Sequence, residues 1–178
     1  LLKINEVKLS SNNKFGFKIN IKYQISDFSV SSKIQLEEFS FLNNNKLDDF
    51  FPKKNKILKL SNHKLDVDYK KNDLVINGSG DILLQQNKDQ LTYLIKKRGK
   101  KFNFKNSLII NKNSLVLDFL NFEKDQNSQM KITFNGDGEL GKKTKFDLIS
   151  VKEVENQFEI KNLELNKQFK IINFRKRY

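Results

Sequence analysis

Apolar and polar residues alternate along most of this chain, and the longest alternation lies near its beginning. Between residues 14 and 26 every odd position is large and apolar, and every even position is polar or glycine. Because successive strand side chains point to opposite faces, this pattern predicts one long strand with a single apolar face. The apolar row consists of Phe15, Phe17, Ile19, Ile21, Tyr23 and Ile25.

Beyond this row the alternation changes parity. The next apolar residues, Phe28, Val30, Ile34 and Leu36, occupy even positions. A tight turn or a β-bulge near Ser26 and Asp27 would produce such a switch, since one extra residue moves every later side chain to the other face.

Short alternating segments separated by turn residues then recur about every ten positions, which is typical of an antiparallel meander. Leu65, Val67 and Tyr69 form one such row, and Leu115, Leu117 and Phe119 form another. The exception is one short loop near 46–56, where we expect a single helical turn that Pro52 prevents from continuing. The sequence therefore predicts an all-β fold: a long, curved, mostly antiparallel sheet with the apolar rows on its concave face.

Two segments of the chain resemble each other. Residues 74–82 read LVINGSGDI and residues 132–140 read ITFNGDGEL, and each follows an alternating row, which suggests sub-repeats at 64–84 and 114–140. The Asn-Gly pairs fit either a hairpin turn or a continuous bent strand with its glycines on the apolar face. We interpret residues 1–178 as a single β-repeat region that is a fragment of a longer protein.

The composition gives a formal net charge of +13 and a pI near 9.7, values that would ordinarily suggest a nucleic-acid partner. However, the chain is rich in Lys, Asn, Ile, Leu and Phe and contains no Ala, Trp or Cys. The abundant residues are those encoded by A- and T-rich codons, so codon composition accounts for the excess of lysine. We therefore give the net charge little weight and expect no nucleic-acid partner.

Residues that could carry catalysis are scarce. His63 is the one histidine, in a polar stretch that predicts a surface position. The adjacent carboxylates at 37–38 and 48–49 would point apart in a strand, and Asp66 and Asp68 fall on the solvated side of theirs. We therefore expect no enzyme activity, no metal site and no cofactor.

The basic run at 96–101 is the best argument for a charged partner, because Phe102 and Phe104 follow it on one face. This arrangement could stack bases beside a phosphate-binding loop, could meet anionic lipid head groups, or could be a solvated turn.

Residues 92–178 resemble the repeating β segments of the AsmA-like envelope proteins, specifically the YhdP branch. The similarity lies in YLIKK at 93–97, FNF at 102–104, LII at 108–110, LVLDFLNFEK at 115–124, the strand around Gly136, and IKNLELN at 160–166. The family implies a twisted β-groove with an apolar interior at the periplasmic side of the inner membrane of Gram-negative bacteria. There it helps carry phospholipid to the outer membrane. The family's membrane helix is not among these residues, so we expect membrane attachment through segments outside this chain.

The resemblance implies that phospholipid acyl chains are the partners. The candidate groove residues are the apolar rows Phe15, Phe17, Ile19, Ile21, Tyr23, Ile25, Leu65, Val67, Tyr69, Leu115, Leu117 and Phe119. Two alternatives stay open, a structural β-sandwich or interaction domain and a single-stranded nucleic-acid-binding domain. Lys18 and Lys22 have the parity opposite to the first apolar row, which favours lipid over nucleic acid.

Overall fold

The computed structural model describes residues 3–42, 51, 55–117, 122–124, 126–154, 156–168 and 170–177. Within these residues the chain forms strands and connecting turns, and no helix occurs. The strands are β1 (Ile4–Ile19), β2 (Ile25–Leu42), β3 (Ile57–Lys70), β4 (Asp73–Leu83), β5 (Lys88–Arg98), β6 (Lys101–Ile110), β7 (Val116–Leu117), β8 (Phe122–Glu123), β9 (Met130–Glu139), β10 (Thr144–Glu153), β11 (Asn156–Leu165) and β12 (Ile171–Arg177).

Ten of the strands form one open antiparallel sheet in the order β1-β2-β3-β4-β5-β6-β9-β10-β11-β12. Each strand therefore pairs with its neighbour along the chain, except that β7 and β8 come between β6 and β9 in the chain and pair only with each other, as a separate hairpin. The prediction of an all-β fold built on a long antiparallel sheet is confirmed.

The pairing register divides the sheet into two faces, because residues directly opposite each other share a face. Val67 lies opposite Ile76, Ile76 opposite Ile95, and Ile95 opposite Phe104. These residues and the side chains in register with them form what we call the apolar face. The polar face is the reverse side, where for example Ser79 lies opposite Thr92.

The predicted single strand over 14–26 is wrong. β1 ends at Ile19, a turn covers residues 20–24, and β2 begins at Ile25. The Asn20 side-chain oxygen accepts hydrogen bonds from the backbone N–H groups of Lys22, at 2.8 Å, and Gln24, at 3.0 Å. Tyr23 adopts a left-handed φ of 59°. An asparagine that bonds its own backbone favours a turn, and here it overrides an unbroken alternation.

The predicted switch of parity at Asp27 is confirmed as a β-bulge. Asp27 has a φ of 52°, and the β1–β2 register shifts between Gly16 and Lys18. The extra residue returns Phe28 to the apolar face, where its ring lies 6.3 Å from that of Tyr69.

The two glycine segments are continuous strands and not hairpin tips. Gly78 and Gly80 lie within β4, and Gly136 and Gly138 lie within β9, all on the apolar face. Neighbouring side chains fill the space that the missing Cβ atoms leave. A Cβ on Gly78 would collide with the Tyr93 ring, and one on Gly138 would lie 2.6 Å from the Phe102 ring.

The environments of the two glycine strands differ. β9 is three places from β4 in an antiparallel sheet, so the two strands run in opposite directions. Residues 65–69 precede β4 in its partner strand β3, whereas residues 116–117 form β7, which pairs with β8 and not with β9.

The buried core lies at one end of the apolar face, where the β7–β8 excursion crosses over the sheet. Ile110 and Met130 are fully buried there, and Leu115 is 2% exposed. Phe51 and Phe122 pack against the same cluster. The loop with a helical turn predicted near 46–56 falls on residues that lie mostly outside the described part.

A buried polar network holds this excursion in place. The Asp89 carboxylate accepts hydrogen bonds from the Asn111 backbone N–H, at 3.0 Å, and from Asn113 Nδ2, at 2.7 Å. Lys124 Nζ donates to the Asn111 carbonyl oxygen at 2.7 Å. Burial raises the pKa of the Asp89 carboxyl, while the hydrogen bonds and the nearby Lys124 oppose that shift.

Candidate functional site

The apolar face consists of two parts. We call the part beneath Phe51 and the β7–β8 hairpin the capped end. The open end is the remainder, towards the β1–β2, β3–β4, β5–β6, β9–β10 and β11–β12 turns, and no other described element crosses it. The open end is the candidate site, because a sheet with one apolar face must cover that face with a second layer or with a ligand.

The register shows which predicted groove residues reach this surface. Phe15 lies opposite Val30, which lies opposite Tyr69, and Ile19 lies opposite Ile25. Seven of the predicted residues share the apolar face: Phe15, Phe17, Ile19, Ile25, Leu65, Val67 and Tyr69. The first predicted row and the 65–69 row thus belong to one surface.

Four of the five remaining predicted residues lie outside the paired strands of the ten-stranded sheet. Ile21 and Tyr23 occupy the β1–β2 turn and not a strand, so the prediction that they line the sheet with the others is wrong. Leu115 packs in the core of the capped end. Leu117 belongs to β7, in the crossing hairpin, and Phe119 lies outside the described residues.

Apolar side chains are more exposed along the edge strand β1 than in the interior of the sheet. Phe15 is 64% exposed, Phe17 53% and Ile19 56%. Farther into the sheet, Leu65, Val67 and Tyr69 are half-buried, because side chains on both neighbouring strands flank them.

An aromatic cluster forms the middle of the open end. The Phe104 ring lies 5.3 Å from Phe146, 6.2 Å from Phe134 and 6.1 Å from Phe102. Gly136 lies directly opposite Phe104 in β9. The prediction of groove residues omitted these four phenylalanines, although their shared parity with Gly136 and Gly138 was a usable signal.

Charge is concentrated away from this surface. The ion pair of Arg98 with Asp73, at 2.6 Å, belongs to the polar face, and Lys88 with Asp81, at 3.5 Å, lies there too. Lys97 is an exception, because it lies opposite Leu74 and Phe102 at the rim of the apolar face.

Polar side chains interrupt the apolar floor at Asn13 and Ser32, which are in register with Val67, and again at Asn106. Asn106 lies opposite Tyr93 and Phe134, and its Oδ1 is buried without a hydrogen-bond partner. An unsatisfied buried acceptor is costly, so this position is a local weakness in the packing of the open end.

The prediction that His63 lies on the surface is wrong, because its side chain is fully buried. The left-handed Asn62, with a φ of 55°, marks a bulge that turns His63 onto the apolar face, where Gly80 leaves room for its ring. Its Nε2 lies 2.9 Å from the Asp81 carbonyl oxygen and its Nδ1 lies 3.4 Å from the Tyr93 hydroxyl.

Acidic side chains do not form a site in the described ranges. Asp66 and Asp68 are exposed on the polar face, as predicted. No group of three or more metal-ligating side chains comes together in these ranges, and Asp48 and Asp49 lie outside them.

The fold and the site define a single-layer, one-sided antiparallel sheet. Comparisons with known protein families, with curated proteins and with solved structures find no match to this chain. In the part of the chain that the structure describes, no helix has the length and apolarity needed to cross a bilayer.

Proposed function

We propose that this sheet is part of an AsmA-like β-groove that binds phospholipid acyl chains and helps move phospholipid between the inner and outer membranes of a Gram-negative envelope. The observation that carries the proposal is the open end of the apolar face, which extends from β1 across the sheet to Phe146 and Leu163 and is predominantly apolar, with Asn13, Ser32 and Asn106 as interruptions. Acyl chains gain about 0.8 kcal/mol for each methylene group removed from water, so such a surface favours them.

Segregation of charge supports the same proposal. A surface for acyl chains excludes groups that would have to lose their hydration, and most of the lysines in the sheet lie on its reverse side. For example, Lys64 and Lys105 have the parity of the polar face, whereas their neighbours Leu65 and Phe104 have that of the apolar face.

The two rival functions have less support. A β-sandwich needs a second sheet over the apolar face, and in the described residues only the two-stranded β7–β8 hairpin crosses it. A single-stranded nucleic-acid site needs cations and aromatic rings on one surface, whereas here Lys97 is the cation in register with Phe102 and most others face away.

The direct test is to purify the protein from a Gram-negative host and identify bound lipid by mass spectrometry. We expect phospholipid in stoichiometric amount, and we expect Val67→Asp to abolish its recovery because the new charge lies on the apolar face. Asp66→Asn is the matched control, since residue 66 is the adjacent position on the polar face of the same strand.

Circular dichroism and urea denaturation establish that both variants are folded. Recovery of a folded, lipid-free parent protein would contradict the proposal and favour the structural domain. Tight binding to single-stranded DNA that weakens steeply with salt would favour the nucleic-acid function instead.

A further inference from the structure

The β1–β2 hairpin extends beyond the rest of the sheet. β3 ends at Lys70, which lies opposite Ser29, whereas β1 and β2 stay paired as far as Ile19 and Ile25. About three further residue pairs, at 3.3 Å per residue, extend the paired part of the hairpin by roughly 10 Å. The turn at residues 20–24 lies beyond that.

The extension has one apolar side and an apolar tip. Phe17, Ile19 and Ile25 line its apolar face and are 53%, 56% and 65% exposed. At its tip, Ile21 is 97% exposed and Tyr23 is 89% exposed, more than any other large apolar side chain in the described part of the chain.

Lysines lie along the same end of the sheet as this tip, and three of them are in exposed ion pairs: Lys71 with Asp27, Lys142 with Glu139 and Lys143 with Glu164. The hairpin turns there all carry lysine: Lys22 in the first, Lys71 in the second, Lys100 in the third, Lys142 and Lys143 in the fourth, and Lys167 in the fifth. The fourth turn also presents Leu140, which is 53% exposed.

We propose that this end of the sheet docks on a membrane surface containing anionic lipid, with Ile21 and Tyr23 inserted among the head groups. Exposed apolar side chains flanked by lysines are what an interfacial segment needs, since the apolar groups leave water and the lysines meet lipid phosphates. Tyrosine suits the position because its ring is apolar and its hydroxyl can stay hydrated.

This membrane contact is distinct from acyl-chain binding in the proposed groove. The tip residues Ile21 and Tyr23 lie in a turn, whereas Val67 lies on the apolar face of the paired strands. Val67→Asp should therefore abolish recovery of bound lipid while leaving vesicle docking unchanged. Variants of Ile21 and Tyr23 should weaken vesicle docking while leaving recovery of bound lipid unchanged.

The test is flotation with vesicles of phosphatidylethanolamine and phosphatidylglycerol, compared with vesicles of phosphatidylcholine alone. We expect binding to the anionic vesicles that weakens with added salt. The double variant Ile21→Asp, Tyr23→Asp should lower the affinity by at least about tenfold, from the apolar surface no longer buried. Lys100→Gln should lower it by about fivefold.

Val154→Asp is the matched control, because Val154 is 74% exposed in a turn at the opposite end of the sheet and, like Tyr23, has a left-handed φ. Aspartate tolerates that backbone conformation better than valine or tyrosine does, so neither substitution should impair folding. Equal binding by the tip variant and the parent, or equal losses in the tip and control variants, would overturn the proposal.

A fluorescence measurement gives a second readout, since the chain contains no tryptophan. In Tyr23→Trp we expect the emission to shift to the blue on vesicle addition and to be quenched by brominated lipid. In Val154→Trp it should do neither. An unshifted Tyr23→Trp emission on bound vesicles would place the contact elsewhere and refute the insertion of this tip.

Discussion

The capped and open ends of the apolar face are built from the same kinds of residue on the same strands, yet they differ sharply in burial. On β6 and β9, Ile110 and Met130 at the capped end are fully buried. Phe104 and Phe134 on those strands lie at the open end and stay partly exposed. The difference arises from Phe51, Leu115 and Phe122, which pack against one end of the sheet.

This contrast separates two roles of an apolar residue. At the capped end, apolar side chains already contribute to stability within the chain. At the open end they still expose apolar surface, so their burial requires something that binds there.

The largest effect on stability should come from shortening a buried side chain at the capped end. Met130→Ala should lower the free energy of unfolding by about 3 kcal/mol, because it leaves a cavity among fully packed neighbours. Ile19→Ala at the exposed edge should cost less than about 1 kcal/mol. Urea denaturation of both variants measures the difference, and similar losses at the two sites would show that the open end is covered in solution.

Adding a side chain at a glycine position of the open end should lower the free energy of unfolding by somewhat less. Gly78→Ala should destabilise the protein by about 1–3 kcal/mol, because the new Cβ meets the Tyr93 ring. In the double variant Gly78→Ala, Tyr93→Ala most of that penalty should disappear. A double-mutant cycle by urea denaturation measures the coupling, and additive effects would mean that the ring does not pack over Gly78.

The polar network of the capped end should make the free energy of unfolding depend on pH. Because burial raises the pKa of Asp89, the folded state holds this proton more tightly than the unfolded state does. Stability from this group is therefore greatest below the unfolded pKa of about 3.9 and falls as pH rises through the folded value. Asp89→Asn should flatten this decline in urea denaturation measured at a series of pH values from about pH 4 upwards. An unchanged slope would assign the decline to other groups.

The smallest effect should come from replacing Asn106, an amide in the apolar floor. Asn106→Leu should raise the free energy of unfolding by about 1 kcal/mol, because it removes a buried acceptor without a partner. Asn103→Leu is the control on the exposed polar face and should change stability by less than about 0.5 kcal/mol. Destabilisation by Asn106→Leu would show that its oxygen has a partner in solution.

Sequence periodicity predicted the sheet and much of its apolar face, but it failed at particular residues. Alternation assigned Phe15, Phe17 and Val67 to one face correctly, and the parity switch located the bulge at Asp27. It missed the turn at residues 20–24 because Ile21 and Tyr23 continue the odd parity, while the hydrogen bonds of Asn20 decide the backbone. A period of two contains no information on where a strand ends.

His63 shows why burial could not be predicted from local pattern. Its neighbours are polar, and only the bulge at Asn62 together with the space above Gly80, on another strand, makes its burial possible. The phenylalanine cluster is similar, since Phe104 and Phe146 come together through the pairing of β9 with both β6 and β10.

The sequence by itself determined an all-β chain with apolar and polar residues on opposite faces, because a strand's alternation is a local property of each segment. The tertiary structure alone decided which segments join one sheet, in which register, and against which end of the sheet the β7–β8 hairpin packs. Those outcomes depend on contacts between residues far apart in the chain, so Ile110 is buried while Phe15, with the same alternation, remains exposed.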